Sequence, residues 1–144
     1  MAPRLSPGDR DTRALCEAAA MPQRDAIHDL VGRFVAALGA QDAAALADLF
    51  TDDAVHDDPT GEGQDVGPER IREFYAQRFH VPVTAASLEG PTAIHGPLAA
   101  FRVVVEIPAG RTPFRLLTCY LADVGPTGQF RSLRAVPDPV ALNG

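Results

Sequence analysis

The chain has 144 residues, enough for one ordinary domain, and 46% of them are hydrophobic, which excludes a disordered or fibrous protein. Its formal net charge is −6 and no run of basic residues occurs, so phosphate backbones are repelled and nucleic acid is not an expected partner. No apolar stretch approaches the roughly 20 residues that span a bilayer, and the first residues contain no secretory core, so we expect a cytoplasmic protein that does not enter membranes.

The first segment differs in pattern from the rest of the chain. Residues 1–22 contain prolines and several charges but no sustained hydrophobic period. We therefore predict a flexible N-terminal extension over residues 1–22 and a single domain over residues 23–144. Cys16 falls in the extension and Cys119 in a strand-like run, so a disulfide between them is not expected.

Two helices are predicted at the start of the domain. Apolar residues from Ile27 to Leu38 recur at helical spacing, and the pattern stops at Gly39. Asp42 has the side chain and position of an N-cap for a second, shorter helix. The apolar face of that second helix is formed by Leu46, Leu49 and Phe50.

A polar stretch separates these helices from a third one. Residues 54–58 are predicted as a short strand or bend that ends before Pro59, and residues 60–67 as a glycine-rich loop that covers a pocket mouth. Pro68 suits the first turn of a helix, with Glu69 near its positive end. The inner face of this third helix is formed by Ile71, Phe74, Tyr75 and Phe79.

The hydrophobic period changes from helix to strand after Pro82. Glycine and proline turns separate the predicted strands, which cover residues 83–88, 92–94, 98–107, 113–124 and 130–136. Three helices followed by a run of strands predict an α+β fold, in which a curved antiparallel sheet wraps over the helices as a cone-like half-barrel. Such a half-barrel encloses an apolar pocket between the concave face of the sheet and the helices.

Several motifs then point to a known family. The run Leu49-Phe50-Thr51-Asp52-Asp53-Ala54, the pair Asp58-Pro59 and the run Ile71-Arg72-Glu73-Phe74-Tyr75 closely resemble the bacterial ketosteroid isomerases. The resemblance is tight over residues 26–80 and weaker as far as residue 137. These isomerases belong to the nuclear transport factor 2-like superfamily, which also contains the SnoaL-like polyketide cyclases.

The resemblance implies a site. It places the family's catalytic base on Asp58, and it aligns Tyr75 with a supporting tyrosine of the family. The family's two oxyanion donors, a tyrosine and a carboxylic acid, correspond here to Phe34 and Tyr120, so one donor is lost and the other is a phenol. Loss of one such donor commonly lowers the rate by about 10²–10³.

The strand and helix patterns add residues to this site. Leu116 and Thr118 share one strand face with Tyr120, and aromatic residues are suited to line an apolar cavity. The alternatives are an exposed turn carboxylate at Asp58 and a core tyrosine at Tyr120. The predicted substrate-binding residues are Phe34, Tyr75, Phe79, Phe101, Leu116 and Thr118.

No motif for a metal or an organic cofactor is found. The histidines His56, His80 and His95 fit no ligand spacing, although His56 lies close to the predicted base. The glycines of residues 60–67 lack the strand, helix and lysine of a phosphate-binding loop. We therefore expect a protein without a metal or cofactor.

Three functions fit this sequence. We favour a cofactor-independent cyclase or isomerase that folds a hydrophobic polyketide-like intermediate in its pocket, with Asp58 as general base. The alternatives are a steroid double-bond isomerase that uses Asp58 and Tyr120, and a non-catalytic ligand-binding or dimerisation module. A homodimer is expected, formed through the strand face that carries Arg102, Val104 and Glu106.

Overall fold

The computed structural model describes the backbone of residues 7–143 and the side chains of residues 23–143. Helix α1 (Pro7–Ala40) crosses the predicted boundary at residue 23. Residues 1–6 and the side chains of residues 7–22 lie outside the described part of the chain. The flexible extension over residues 1–22 therefore stays a prediction.

The helices follow the apolar stripes of the sequence. In α1, Ile27, Leu30, Val31 and Phe34 are fully buried, as the helical spacing predicts. Helix α2 (Ala43–Ala47) begins after Asp42, whose side chain accepts a hydrogen bond from the Ala45 amide at 3.0 Å, so the predicted N-cap is confirmed. Helix α3 (Pro68–Arg78) begins at the predicted proline.

Phe50 corrects the predicted second helix. It does not continue α2 but begins strand β1 (Phe50–Asp57), which is longer than the predicted segment of residues 54–58. Phe50 is paired in register with Phe130, and the centroids of their rings lie 5.2 Å apart. Because that partner is distant in the sequence, the local pattern could not reveal the strand.

Six further strands complete one sheet. Their bounds are β2 (Asp65–Val66), β3 (Ala85–Leu88), β4 (Ala93–His95), β5 (Leu98–Ile107), β6 (Phe114–Val124) and β7 (Phe130–Asp138). The order across the sheet is β2-β1-β7-β6-β5-β3, and β4 also pairs with β5. All of these neighbours are antiparallel except β1 and β7, which run parallel.

The predicted fold class is therefore confirmed, with one difference. A curved, open sheet packs against three helices, but the sheet is mixed rather than wholly antiparallel, because β1 returns beside β7. The core lies between α1 and the sheet, and its largest buried side chains include Phe34, Phe50 and Phe130. Among the described residues, none of the helices combines the length and apolarity needed to cross a membrane.

Candidate functional site

A cavity of about 210 Å³ lies between α3, the end of α1 and the strands β5 and β6. Most of its wall is apolar, which suits a hydrophobic small molecule. The apolar lining residues are Leu38, Phe74, Phe79, Val81, Val83, Val105, Ile107, Leu116 and Pro137. The polar lining residues are Asp58, Tyr75, Arg78, Thr118 and Tyr120.

Strand register brings Asp58 and Tyr120 to the same level of the sheet. Asp57, the last residue of β1, is paired with Arg134 of β7. The next residue of β7, Ala135, is paired with Tyr120 of β6. Asp58 follows β1 directly, so it lies level with Tyr120 at a distance of two strand spacings, about 10 Å between the backbones. Both side chains line the cavity between them.

Burial tunes the carboxyl group of Asp58. Removal from water disfavours the charged form and raises its pKa from the ordinary 3.8 to about 6. The Arg78 cation acts in the opposite direction, whereas the nearby carboxylates of Asp57 and Asp65 raise the pKa further. At neutral pH Asp58 is therefore an ionised carboxylate with more basicity than an exposed aspartate has.

Tyr120 is held in place by aromatic rings. Its ring stacks on Phe101 with centroids 5.1 Å apart, and the Phe34 ring meets it edge-on at the same distance. Burial and the charge of Asp58 both raise the pKa of Tyr120, so its phenol stays protonated. A neutral buried phenol is a hydrogen-bond donor for an oxygen in the cavity.

The other predicted binding residues divide into two groups. Tyr75, Phe79, Leu116 and Thr118 line the cavity. Phe34 and Phe101 lie one layer deeper, in the core, where they pack against the ring of Tyr120. Their contribution to the site is therefore support of Tyr120 rather than direct lining.

Tyr75 is linked to a buried histidine. Its hydroxyl lies 2.8 Å from Nε2 of His56, and His56 Nδ1 lies 3.6 Å from a carboxylate oxygen of Asp65. His56 is fully buried, and this burial lowers its pKa to about 4 although the Asp65 charge opposes the change. The imidazole is therefore neutral at physiological pH. The sequence analysis noted His56 beside the base but did not find its two partners.

Arg78 is a lining residue that the sequence analysis missed. It ends α3 one helical turn after Phe74, and its guanidinium carbon lies 4.9 Å above the centre of the Phe74 ring. The spacing of four residues from Phe74 was the available signal. Arg78 is exposed, so it places a positive charge at the cavity mouth.

The loop over residues 60–67, which was predicted to cover the pocket mouth, contributes no residue to the lining of the cavity. The Thr60 amide and hydroxyl both donate to the Ala135 carbonyl, and β2 pairs with β1. Asp57 is buried, and its carboxylate accepts a hydrogen bond from the Gly61 amide at 3.2 Å. The loop is thus fixed to the sheet, and Arg78, Phe79, Val81 and Val83 line the cavity instead.

The described part of the chain holds no group of three or more histidine, cysteine or acidic side chains placed to bind a metal ion. His80 and His95 are exposed and are not among the residues that line the cavity. Cys119 is an exposed free thiol.

These features define a class of protein in which a curved sheet packs over helices and encloses an apolar cavity. Here the cavity is lined by a carboxylic acid, Asp58, and a phenol, Tyr120. The sequence model of the SnoaL-like domain family matches residues 31–132, so the chain belongs to this family. That family supports a cyclase or isomerase type of function. The match covers α3 and Asp58 as well as most of the sheet.

Solved structures share the fold. The epoxide hydrolase/cyclase-like enzyme SalBIII, described for a role in pyran ring formation in the polyether salinomycin, matches with a TM-score of 0.67. The two sequences are 19% identical, and the match covers 80% of this chain and 92% of that chain. Altogether 342 chains match, so a fold this common does not by itself decide the substrate.

Proposed function

We propose that this protein is a cofactor-independent cyclase or isomerase that acts on a hydrophobic, polyketide-like intermediate of specialised metabolism. The observation that carries the proposal is the carboxylate of Asp58, whose pKa burial raises to about 6 in the wall of an apolar cavity. A charged group in such surroundings costs stability, and perturbed acids of this kind concentrate at catalytic sites.

The polar groups divide the chemistry between them. Asp58 takes a proton from the substrate, either from an acidic C–H group or from a hydroxyl group that attacks within the same molecule. Tyr120 donates a hydrogen bond to the substrate oxygen on which negative charge develops. The apolar wall holds the substrate in a folded conformation that brings its reacting atoms together. The entropy cost of reaching that conformation is thus met on binding rather than in the reaction step.

The relatives support a ring-forming reaction. The chain belongs to the SnoaL-like domain family, and SalBIII, with the same fold, is described as epoxide hydrolase/cyclase-like. A steroid double-bond isomerase is the second candidate, because the sequence resemblance aligns Asp58 with that family's base. Phe34 argues against it, since its ring has no hydroxyl and lies buried behind Tyr120.

The test begins with deletion of the gene in the organism that carries it. We expect an uncyclised or unrearranged precursor to accumulate, which is then isolated and supplied to the purified protein. Asp58→Asn should lower kcat by about 10²–10⁴, because it removes the general base and keeps the shape of the side chain. Product formation by chromatography and mass spectrometry gives the rates.

Asp52→Asn is the matched control, since Asp52 is an exposed acid of β1, the strand that directly precedes Asp58. It should retain the wild-type rate. Equal turnover by the Asp58 and Asp52 variants would remove Asp58 from the chemistry. Binding of the precursor without any turnover would instead support a ligand-binding module, and family-level turnover of an unsaturated ketosteroid would support the second candidate.

We also propose a homodimer formed through the outer face of β5, β6 and β7. Leu98, Leu121 and Val136 are 44%, 47% and 58% exposed on this face. Exposed apolar residues grouped in this way are typical of protein interfaces. Of the residues predicted for this contact, Arg102 is exposed, but Val104 is already buried within the chain.

A further inference from the structure

His56 is a buried polar group that the proposed reaction does not use. It is fully buried, between the rings of Phe50 and Phe74 at centroid distances of 5.9 and 4.7 Å. Its Nδ1 atom makes no hydrogen bond within 3.5 Å to the described residues, although a buried, unpaired polar atom is costly. An apolar side chain would fill this place at less cost, so packing does not account for His56.

Cross-strand pairing explains how Asp65 reaches this histidine. His56 of β1 is the register partner of Asp65 of β2 in an antiparallel pair. Side chains of such partners project to the same side of a sheet. The Asp65 carboxylate therefore lies beside the buried ring, with its Oδ2 atom 3.6 Å from Nδ1.

The neighbours of the two ring nitrogens select one tautomer. A neutral imidazole has one N–H group and one bare nitrogen. A proton on Nδ1 is attracted to the Asp65 carboxylate, whereas a lone pair there would be repelled by it. Nε2 is then the bare nitrogen, and it accepts the hydrogen bond from the Tyr75 hydroxyl at 2.8 Å.

This direction determines what Tyr75 offers to a ligand. Its only proton is committed to His56, so the oxygen presents lone pairs to the cavity that Tyr75 lines. Tyr75 shares the lining of this cavity with Tyr120 and Asp58. The cavity thus has an acceptor at Tyr75 and a donor at Tyr120.

We propose that Asp65 and His56 are positioning residues that fix the Tyr75 hydroxyl as a hydrogen-bond acceptor for a hydroxyl group of the substrate. The substrate class is then a hydrophobic alcohol or enol that carries a second oxygen, a carbonyl or cyclic ether, facing Tyr120. The identification of this ligand as the substrate rests on the proposed function, whereas the direction of the hydrogen bonds does not.

The first experiment measures the tautomer by NMR of the full protein labelled with nitrogen isotope in its histidines. His56→Gln identifies the His56 signals by their loss. We expect one-bond proton coupling at Nδ1 and none at Nε2. Asp65→Asn should shift this balance toward protonated Nε2, and Asp52→Asn should leave it unchanged. A wild-type His56 that is protonated on Nε2, or on both nitrogens, at neutral pH would overturn the proposal.

The second experiment measures binding of a naphthol and of its methyl ether by fluorescence titration. Only the naphthol can donate to Tyr75, so wild type should bind it about tenfold more tightly than the ether. The preference should disappear in Tyr75→Phe and in His56→Leu. It should persist in His56→Gln, because the amide oxygen of glutamine still accepts from Tyr75.

The outcomes separate the alternatives. A preference that survives Tyr75→Phe but is lost in Asp58→Asn would assign the acceptor to Asp58 and overturn the proposal. The His56→Gln variant and the Asp65→Asn spectrum keep the test decisive if His56→Leu does not fold. Neither experiment measures turnover, so an inactive protein would reject the proposed reaction and leave this inference standing.

Discussion

Asp58 is subject to two opposing influences. Burial raises its pKa and Arg78 lowers it, with a net pKa of about 6. A base must be ionised to accept a proton, so the protein should work above this pH and lose activity below it. The basicity of Asp58 is thus set by the depth of the cavity and moderated by one exposed cation.

The pH dependence follows from these two influences. The kcat/KM for the accumulated precursor should fall as the pH drops through about 6, tenfold per unit, because Asp58 becomes protonated. Arg78→Gln removes the cation that favours the carboxylate, so the acid limb should move to higher pH. NMR titration of labelled aspartate measures the same pKa without a substrate.

Arg72→Gln is the control, since Arg72 is an exposed arginine of α3. This control variant should leave the pKa of Asp58 unchanged. An Asp58 pKa at or below the ordinary 3.8 would contradict the partly buried position of the carboxyl group.

Some site residues could be predicted from the sequence and others could not. Asp58 and Tyr120 were found through the resemblance to the ketosteroid isomerases, and strand alternation placed Leu116 and Thr118 on the same face as Tyr120. The catalytic roles of Asp58 and Tyr120 remain predictions. His56 and Asp65 were not linked, because their contact depends on β2, a two-residue strand within an apparent loop. Phe34 and Phe101 were assigned to binding because an aromatic residue looks the same in the sequence whether it lines a cavity or supports its wall.

Gln41 connects two elements at the edge of the cavity. Its side chain donates to the Val81 carbonyl at 2.7 Å and accepts from the Val83 amide at 3.2 Å. Val81 and Val83 line the cavity, so the turn between α1 and α2 holds the segment that forms part of the mouth. Gln41 makes these bonds with a positive φ of 52°, a conformation that favours glycine.

Gln41→Ala should lower the free energy of unfolding by about 1–2 kcal/mol, because both hydrogen bonds are lost. It should also weaken naphthol binding, since the mouth segment is released. Gln41→Gly loses the same bonds but relieves the backbone strain, so it should be the milder change. Urea unfolding and fluorescence titration measure the two effects.

Gln77→Ala provides the comparison, because Gln77 is exposed on α3 and its removal should change neither quantity. If Gln41→Ala matched Gln77→Ala in both stability and binding, the two bonds would have no role in shaping the mouth.

At the level of elements, the hydrophobic period of the sequence predicted individual helices and strands better than it predicted how the strands pair. The three helices and the long strands β5 and β6 follow patterns within a single stretch of chain. The extent of β1 does not, because its partner β7 lies at the other end of the domain and runs parallel to it. The α+β class was therefore predictable, whereas the mixed sheet required the structure.

For the whole molecule, we predict that the outer face of β5, β6 and β7 forms a homodimer. Val136→Arg places a charge among Leu121 and its apolar neighbours, so it should weaken a dimer by about 2–5 kcal/mol. Sedimentation velocity over a concentration series measures the change. Val140→Arg, at an exposed position outside the strands, should leave the dimer intact. A wild-type protein that sediments as a monomer at every concentration would contradict the proposed contact.

The support of Tyr120 has a consequence for how this scaffold can acquire new substrates. Because Phe34 and Phe101 hold the ring of Tyr120, its hydroxyl cannot move to suit a substrate of different shape. Variation is better tolerated around the solvent-facing rim, where Arg78 and Val81 are exposed. Libraries aimed at altered substrate selectivity should therefore randomise the rim and leave Phe34 and Phe101 unchanged. Substitution of these two buried rings would destabilise the fold before it changed the selectivity.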